Sequence, residues 1–194
     1  MTPADFEPRL KAYVAGSTFR SRLYTFSARL DVDGPSPPRA LTLGDAGAWL
    51  GDLQRRIGRQ ADAAIRIERA VKDDPNSGAV HLARGRLQLD YGHVADALES
   101  LSRAVAIDPA SANAFAWLAY AQMTIGHVAE ARTAIARALA LEPRRPDFRL
   151  RDADVAVLEG DVARARAVLL EVMADDVAVA GRARERLSAI DRRR

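Results

Sequence analysis

Apolar and small residues recur from residue 44 to about residue 176 in short amphipathic segments that alternate with turn residues. In Val94 to Ile107 they fall at Val94, Ala97, Leu98, Leu101, Ala104 and Val105, the 3.6-residue stripe of a helix with one buried face. The preceding segment, Ala79 to Tyr91, predicts a second helix. Gly92 stands just past its end, where glycine can take the left-handed conformation that closes the last carbonyls. The pattern then repeats. Pro75, Pro109 and Pro143 are evenly spaced, Gly58, Gly92, Gly126 and Gly160 keep the same interval, and Ala63, Ala97, Ala131 and Ala165 follow those glycines by five. Ile67, Leu101, Ile135 and Leu169 form a further column, Ala70, Ala104 and Ala138 another that relaxes to Val172, and Gly51, Gly85, Ala119 and Ala153 an earlier one. Small residues in paired columns let antiparallel helix backbones approach closely, where a larger side chain would cost roughly 1 to 3 kcal/mol by overpacking. Proline, lacking an N–H, ends one unit and opens the next. The expectation is an all-α stack of helical hairpins that buries its faces between neighbours and needs three or more units to be stable.

The 34-residue helix-turn-helix unit resembles the tetratricopeptide repeat in its bacterial form. The resemblance covers residues 44–176, in frames 44–77, 78–111 and 112–145 and a degenerate fourth, 146–176. It implies a solenoid of about four antiparallel helix pairs, followed over 177–194 by a capping helix and an Arg-rich tail. The cap's expected apolar stripe is Val177, Ala178, Ala180, Ala183, Leu187 and Ile190. In the family, positions 2, 5, 9, 12 and 13 of each frame face a concave groove. Here these are Asp45, Ala48, Asp52, Arg55 and Arg56, then Ala79, Leu82, Arg86, Leu89 and Asp90, then Asn113, Ala116, Tyr120, Met123 and Thr124. The partner-binding residues expected among them are Arg55, Arg56, Arg86, Leu89, Asn113, Tyr120 and Met123. The three arginines would seat an acidic anchor beside an apolar patch of Leu89, Tyr120 and Met123. The resemblance thus implies a non-catalytic scaffold for protein–protein interaction, with a protein or peptide as partner. Members that clamp a chaperone tail carry asparagine at position 9 of the first repeat. Asp52 stands there in this chain and would repel a chain-end carboxylate.

Residues 1–43 depart from the 34-residue frame. Phe6, Tyr13, Phe19, Tyr24 and Phe26, five of the eleven aromatics, fall in the first 30 residues, so this segment is built to pack against something. Phe6, Leu10, Tyr13 and Val14 have helical spacing, Tyr24, Phe26, Ala28 and Leu30 alternate like a strand, and Asp33 to Pro38 is a linker by composition. One expectation is a cap folded back on the first repeat. The alternative rests on a short resemblance to the segment that joins a bacterial zinc-metallopeptidase-like domain to its repeats. It implies an accessory module of a larger hydrolase, with the catalytic groups upstream. Self-association through the exposed face of the first repeat is a third expectation.

Charge changes this picture little. The net charge of +3 is concentrated in the last 13 residues, where six arginines against Glu185 and Asp191 give about +4. Nucleic-acid binding normally spreads cations along one face, so it is not expected here. No stretch of 18 apolar residues occurs and the first residues lack the pattern of a signal peptide, which makes a soluble cytoplasmic protein the default expectation. Without cysteine there are no thiolate ligands or disulfides. No catalytic motif, phosphate loop or His-Glu-x-x-His sequence is present, and no cofactor is expected. His93 and His127 share a column at the start of second helices, a polar position filled elsewhere by Arg59 and Asp161, and His81 is expected to pack. Asp73-Asp74, Asp152 with Asp154, and Asp175-Asp176 are neighbours on helices or helix ends and so point apart rather than converging as an acid–base pair.

Overall fold

The computed structural model describes residues 42–192. Nine helices follow one another among them, with no strand: α1 (Leu43–Arg56), α2 (Gln60–Asp73), α3 (Gly78–Asp90), α4 (Val94–Ile107), α5 (Ala112–Thr124), α6 (Val128–Leu141), α7 (Pro146–Leu158), α8 (Val162–Asp175) and α9 (Val177–Asp191). The expectations for the first 41 residues, including the aromatic helix, the strand from Tyr24 and the metallopeptidase-type joining segment, lie outside the described residues. So do Arg193 and Arg194. No described helix is long and apolar enough to cross a membrane.

The turns follow from local chemistry. Gly58, Gly92, Gly126 and Gly160 close α1, α3, α5 and α7 at φ between +77° and +81°, where a side chain would be strained even in open space. The Oγ atoms of Thr42, Ser77 and Ser111 accept the N–H three residues on and start α1, α3 and α5. Pro146 supplies the first residue of α7, and the carboxylates of Asp161 and Asp176 cap α8 and α9.

Each hairpin closes on the columns seen in the sequence. Ala63, Ala97, Ala131 and Ala165 are fully buried, and so are Ile67, Leu101, Ile135 and Leu169. A Cβ at Gly51 would lie 2.5 Å from Ile67 Cγ1, and one at Gly85 2.6 Å from Leu101 Cγ, so these two glycines are demanded by close approach. Each first helix also packs on the second helix before it, and the first helices α1, α3, α5 and α7 line up side by side. Burial is therefore strung along the stack in successive clusters: around Ile67 and Val80, around Leu101, Ile135 and Phe148, and around Leu150, Leu169 and Val179.

The last junction is shorter. Four residues separate α2 from α3, α4 from α5 and α6 from α7, but Asp176 alone separates α8 from α9. Helix α9 buries Val179, Ala183 and Ile190, with Leu187 against them, and leaves Val177 90% exposed. The apolar stripe expected from the sequence is thus displaced at its start. Val177 and Ala178 form the first turn on the solvent side, and docking on α7 and α8 selects the row that begins at Val179.

Candidate functional site

The side chains that face one another along the first helices form a groove whose charges come from adjacent repeats. On α1, the Asp52 carboxylate accepts from Arg55 Nε at 3.0 Å and forms ion pairs with Arg86 Nη1 of α3 at 3.1 Å and Arg56 Nε at 3.5 Å. Arg55 also donates to Asp90 at 2.7 Å. Arg55 and Arg86 are 11% and 13% exposed, whereas Arg56 is 67% exposed. Burial pulls the Arg86 pKa down to about 10, with Asp52 opposing. For Arg55 burial acts in the same sense but is outweighed by the hydrogen bonds to Asp90 and Asp52, which raise its pKa.

Farther along, Arg86 places its guanidinium carbon 4.8 Å from the centre of the Trp117 ring on α5. Arg151 of α7 lies 5.1 Å from the same ring and 5.0 Å from Tyr120, and Trp117 meets Tyr120 edge-on at 5.8 Å. Arg151 Nη1 donates to the Ala116 carbonyl. Burial lowers the Arg151 pKa, and the Asp154 charge pulls the other way.

Between Trp49 and Arg86 the groove opens into a cavity of about 380 Å³, lined among others by Ala48, Asp52, Leu53, Arg56, Leu82, Ala83 and Asn113. Trp49 and Leu53 are 65% and 54% exposed. Trp49, Ala83 and Trp117 occupy one column of successive repeats, and the first two line the cavity. Of the expected site residues, Arg56, Arg86 and Asn113 come together at this cavity. Arg55 sits beside it, locked in its ion pairs. Tyr120 lies next to Trp117 under Arg151, and Leu89 and Met123 pack against the central core. The large apolar side chains at the cavity itself are Trp49, Leu53 and Leu82. Sequence reasoning passes over Trp49 and Leu53, together with Trp117 and Arg151, because they fall outside the five columns taken from the family. The recurrence of tryptophan at a spacing of two repeats is the signal that could have found them.

Several other titratable groups are engaged away from this groove. Asp152 is held by Arg132 and Arg164, and Asp154 takes a two-pronged bond from Arg186 of α9 at 2.8 and 3.1 Å. Arg132 also binds Glu159, whose pKa this hydrogen bond lowers. Asp74 accepts from Thr42, and Asp175 pairs with Arg149. His81 is buried with Nε2 2.7 Å from the Pro75 carbonyl, as expected of a packing residue. His93 and His127 are exposed at the residues preceding α4 and α6. Of the basic C-terminal segment, Arg182 pairs with Asp147 at 2.8 Å, and Asp191 pairs back to Arg166.

Two tetratricopeptide repeat profiles match the chain, over residues 49–112 and 88–147. No curated protein matches it in sequence. Among solved structures it is similar to MamA, at 27% identity over 72% of this chain and 81% of that one, with a TM-score of 0.61. A thermophilic TPR protein of Thermus thermophilus is 25% identical over 68% of this chain and 73% of its own, with a TM-score of 0.62. The first TPR domain of Spaghetti (RPAP3), bound to an HSP90 peptide, shares the fold at 17% identity and a TM-score of 0.56, over 61% of this chain and 94% of that one. With its repeated columns buried between paired helices and both profiles lying on those pairs, the chain belongs to the tetratricopeptide repeat family, whose members are typically non-enzymatic scaffolds for protein interaction.

Proposed function

We propose that this protein is an interaction scaffold that receives an extended partner segment in the groove over α1, α3 and α5. The observation that carries the reading is the open cavity between Trp49 and Arg86, which combines an exposed apolar wall with an exposed cation, Arg56. That combination suits a segment that places a bulky apolar side chain in the cavity and an acidic one at its rim. The HSP90 peptide carried by the Spaghetti TPR domain supports the general mode, a peptide held on this fold. Asp52 does not make the rim repulsive, because three guanidinium groups surround it.

The test is selection of random peptides displayed on phage against the full chain, followed by affinity measurement on Trp49→Ala and Arg56→Glu. Both positions are exposed, so the helices should survive, which circular dichroism checks. Truncating an aromatic anchor should weaken the selected peptides more than tenfold, about 1.4 kcal/mol. Failure to enrich any peptide, or binding by both variants as tight as that of the wild type, removes the groove as the working surface.

A further inference from the structure

We propose that the groove selects acidic segments, and that Arg86 and Arg151, from the helices on either side of Trp117, take two side-chain carboxylates of one extended strand. This rests on the groove reading above and adds to it the chemistry of the occupant.

The first ground is an imbalance of charge. Arg55, Arg56, Arg86 and Arg151 line this stretch against the carboxylates of Asp52 and Asp90, and Asp52 is already shared by three of the four. Among the described residues Arg151 has no carboxylate within ion-pair distance, whereas Arg149, Arg182 and Arg186 around it are all paired. Its partners are two aromatic faces and one backbone carbonyl. Arg86 keeps a buried Nε with no hydrogen-bond partner among the described residues. Arg86 shares its one carboxylate with two other arginines and Arg151 touches none among the described residues; burying such guanidinium groups is costly, and it is burial that lowers both pKa values. A carboxylate delivered by a ligand would relieve it.

The second ground is geometry. Both guanidinium carbons lie within about 5 Å of the Trp117 ring centre, so they are no more than about 10 Å apart. In an extended chain residues i and i+2 point the same way roughly 7 Å apart, so acidic residues at that spacing match the two cations. Stacking on an indole holds a guanidinium in plane and leaves its edge donors for a carboxylate. Nucleic acid fits this surface less well. The arginines that could extend the patch toward α9 are already committed to Asp147 and Asp154.

The experiment uses the same displayed random peptides, which have no free C-terminus, so any carboxylate they present is a side chain. Enriched peptides should carry Asp or Glu pairs at i and i+2, should bind at least tenfold more weakly to Arg151→Met, should lose as much when their acidic residues become Gln, and should weaken as salt rises. Trp49→Phe leaves Trp117 as the sole indole, and its emission should change on saturation. Arg151→Met must keep the wild-type melting curve to count. If it does not, Arg151→Lys, which keeps the charge and loses the planar fork, replaces it and should also bind more weakly. Enrichment of neutral peptides that still respond to Trp49→Ala overturns this inference and leaves the groove reading standing. Acidic peptides that bind the Arg151 variants as tightly as wild type, an unmoved Trp117 emission, or stronger competition by a single-stranded oligonucleotide than by the free acidic peptide each overturn it as well.

Discussion

Helices α3 and α9 hold comparable places, each packed against the hairpin before it, yet they are used differently. Helix α3 touches α1, α2, α4 and α5, while α9 touches only α7 and α8 among the described residues. Gly85 on α3 has no room for a Cβ, whereas one on Gly181 of α9 would meet nothing within 4 Å. Each helix sends an arginine back to an aspartate one repeat earlier, Arg86 to Asp52 and Arg186 to Asp154. At α9 Asp154 has its own arginine, Arg186, and Asp147 has Arg182. At α3 the aspartate is oversubscribed, and the surplus cation faces a cavity. One device, an acid on one helix and an arginine two helices on, therefore docks α9 in one place and leaves an exposed cation beside a cavity in the other. What separates the two uses is the number of cations per carboxylate.

This contrast is open to direct attack. The largest effect is expected from Gly85→Ala, which drives a methyl into Leu101 and should destabilise the chain by roughly 1 to 3 kcal/mol, read as a lowered denaturant midpoint. Gly181→Ala should act in the opposite direction. With space available and a helical backbone, it should stabilise by about 0.5 to 1 kcal/mol, and a loss of stability would mean that the outer face of α9 is covered. Smaller still is the coupling between Arg186 and Asp154, both partly exposed, which a double-mutant cycle should place at about 0.5 kcal/mol. The smallest effect concerns acid. The Glu159 pKa is lowered in the folded chain, so its bond to Arg132 contributes above the unfolded carboxylate pKa and is lost as pH falls through the folded one. Glu159→Gln should flatten the loss of stability on acidification over that interval.

Much of the scaffold is legible in the order of residues alone. The left-handed glycines, the buried alanine column and the Gly85–Leu101 contact all answer to spacing, because a helix pair of fixed geometry makes the same demands in every repeat. The groove is legible only in part. Arg56, Arg86 and Asn113 are found by their columns. Leu89 and Met123 are half-buried against the central core, and Trp49 and Arg151 stand outside those columns altogether. In α9 two apolar rows one residue apart compete, and only contact with α7 and α8 chooses between them.

The sequence by itself determined the period, the helices, where each stops and which residues must be small, since those are properties of a chain packing against its own near neighbours. The tertiary structure decided which charges are spent and which remain. Asp52 meets Arg86 from the next repeat, Trp117 meets Arg151 across the same interval, and no local pattern tells how many guanidinium groups will share one carboxylate. Availability of a side chain is a property of everything packed around it, and in a stacked repeat that surrounding is supplied by the neighbouring unit.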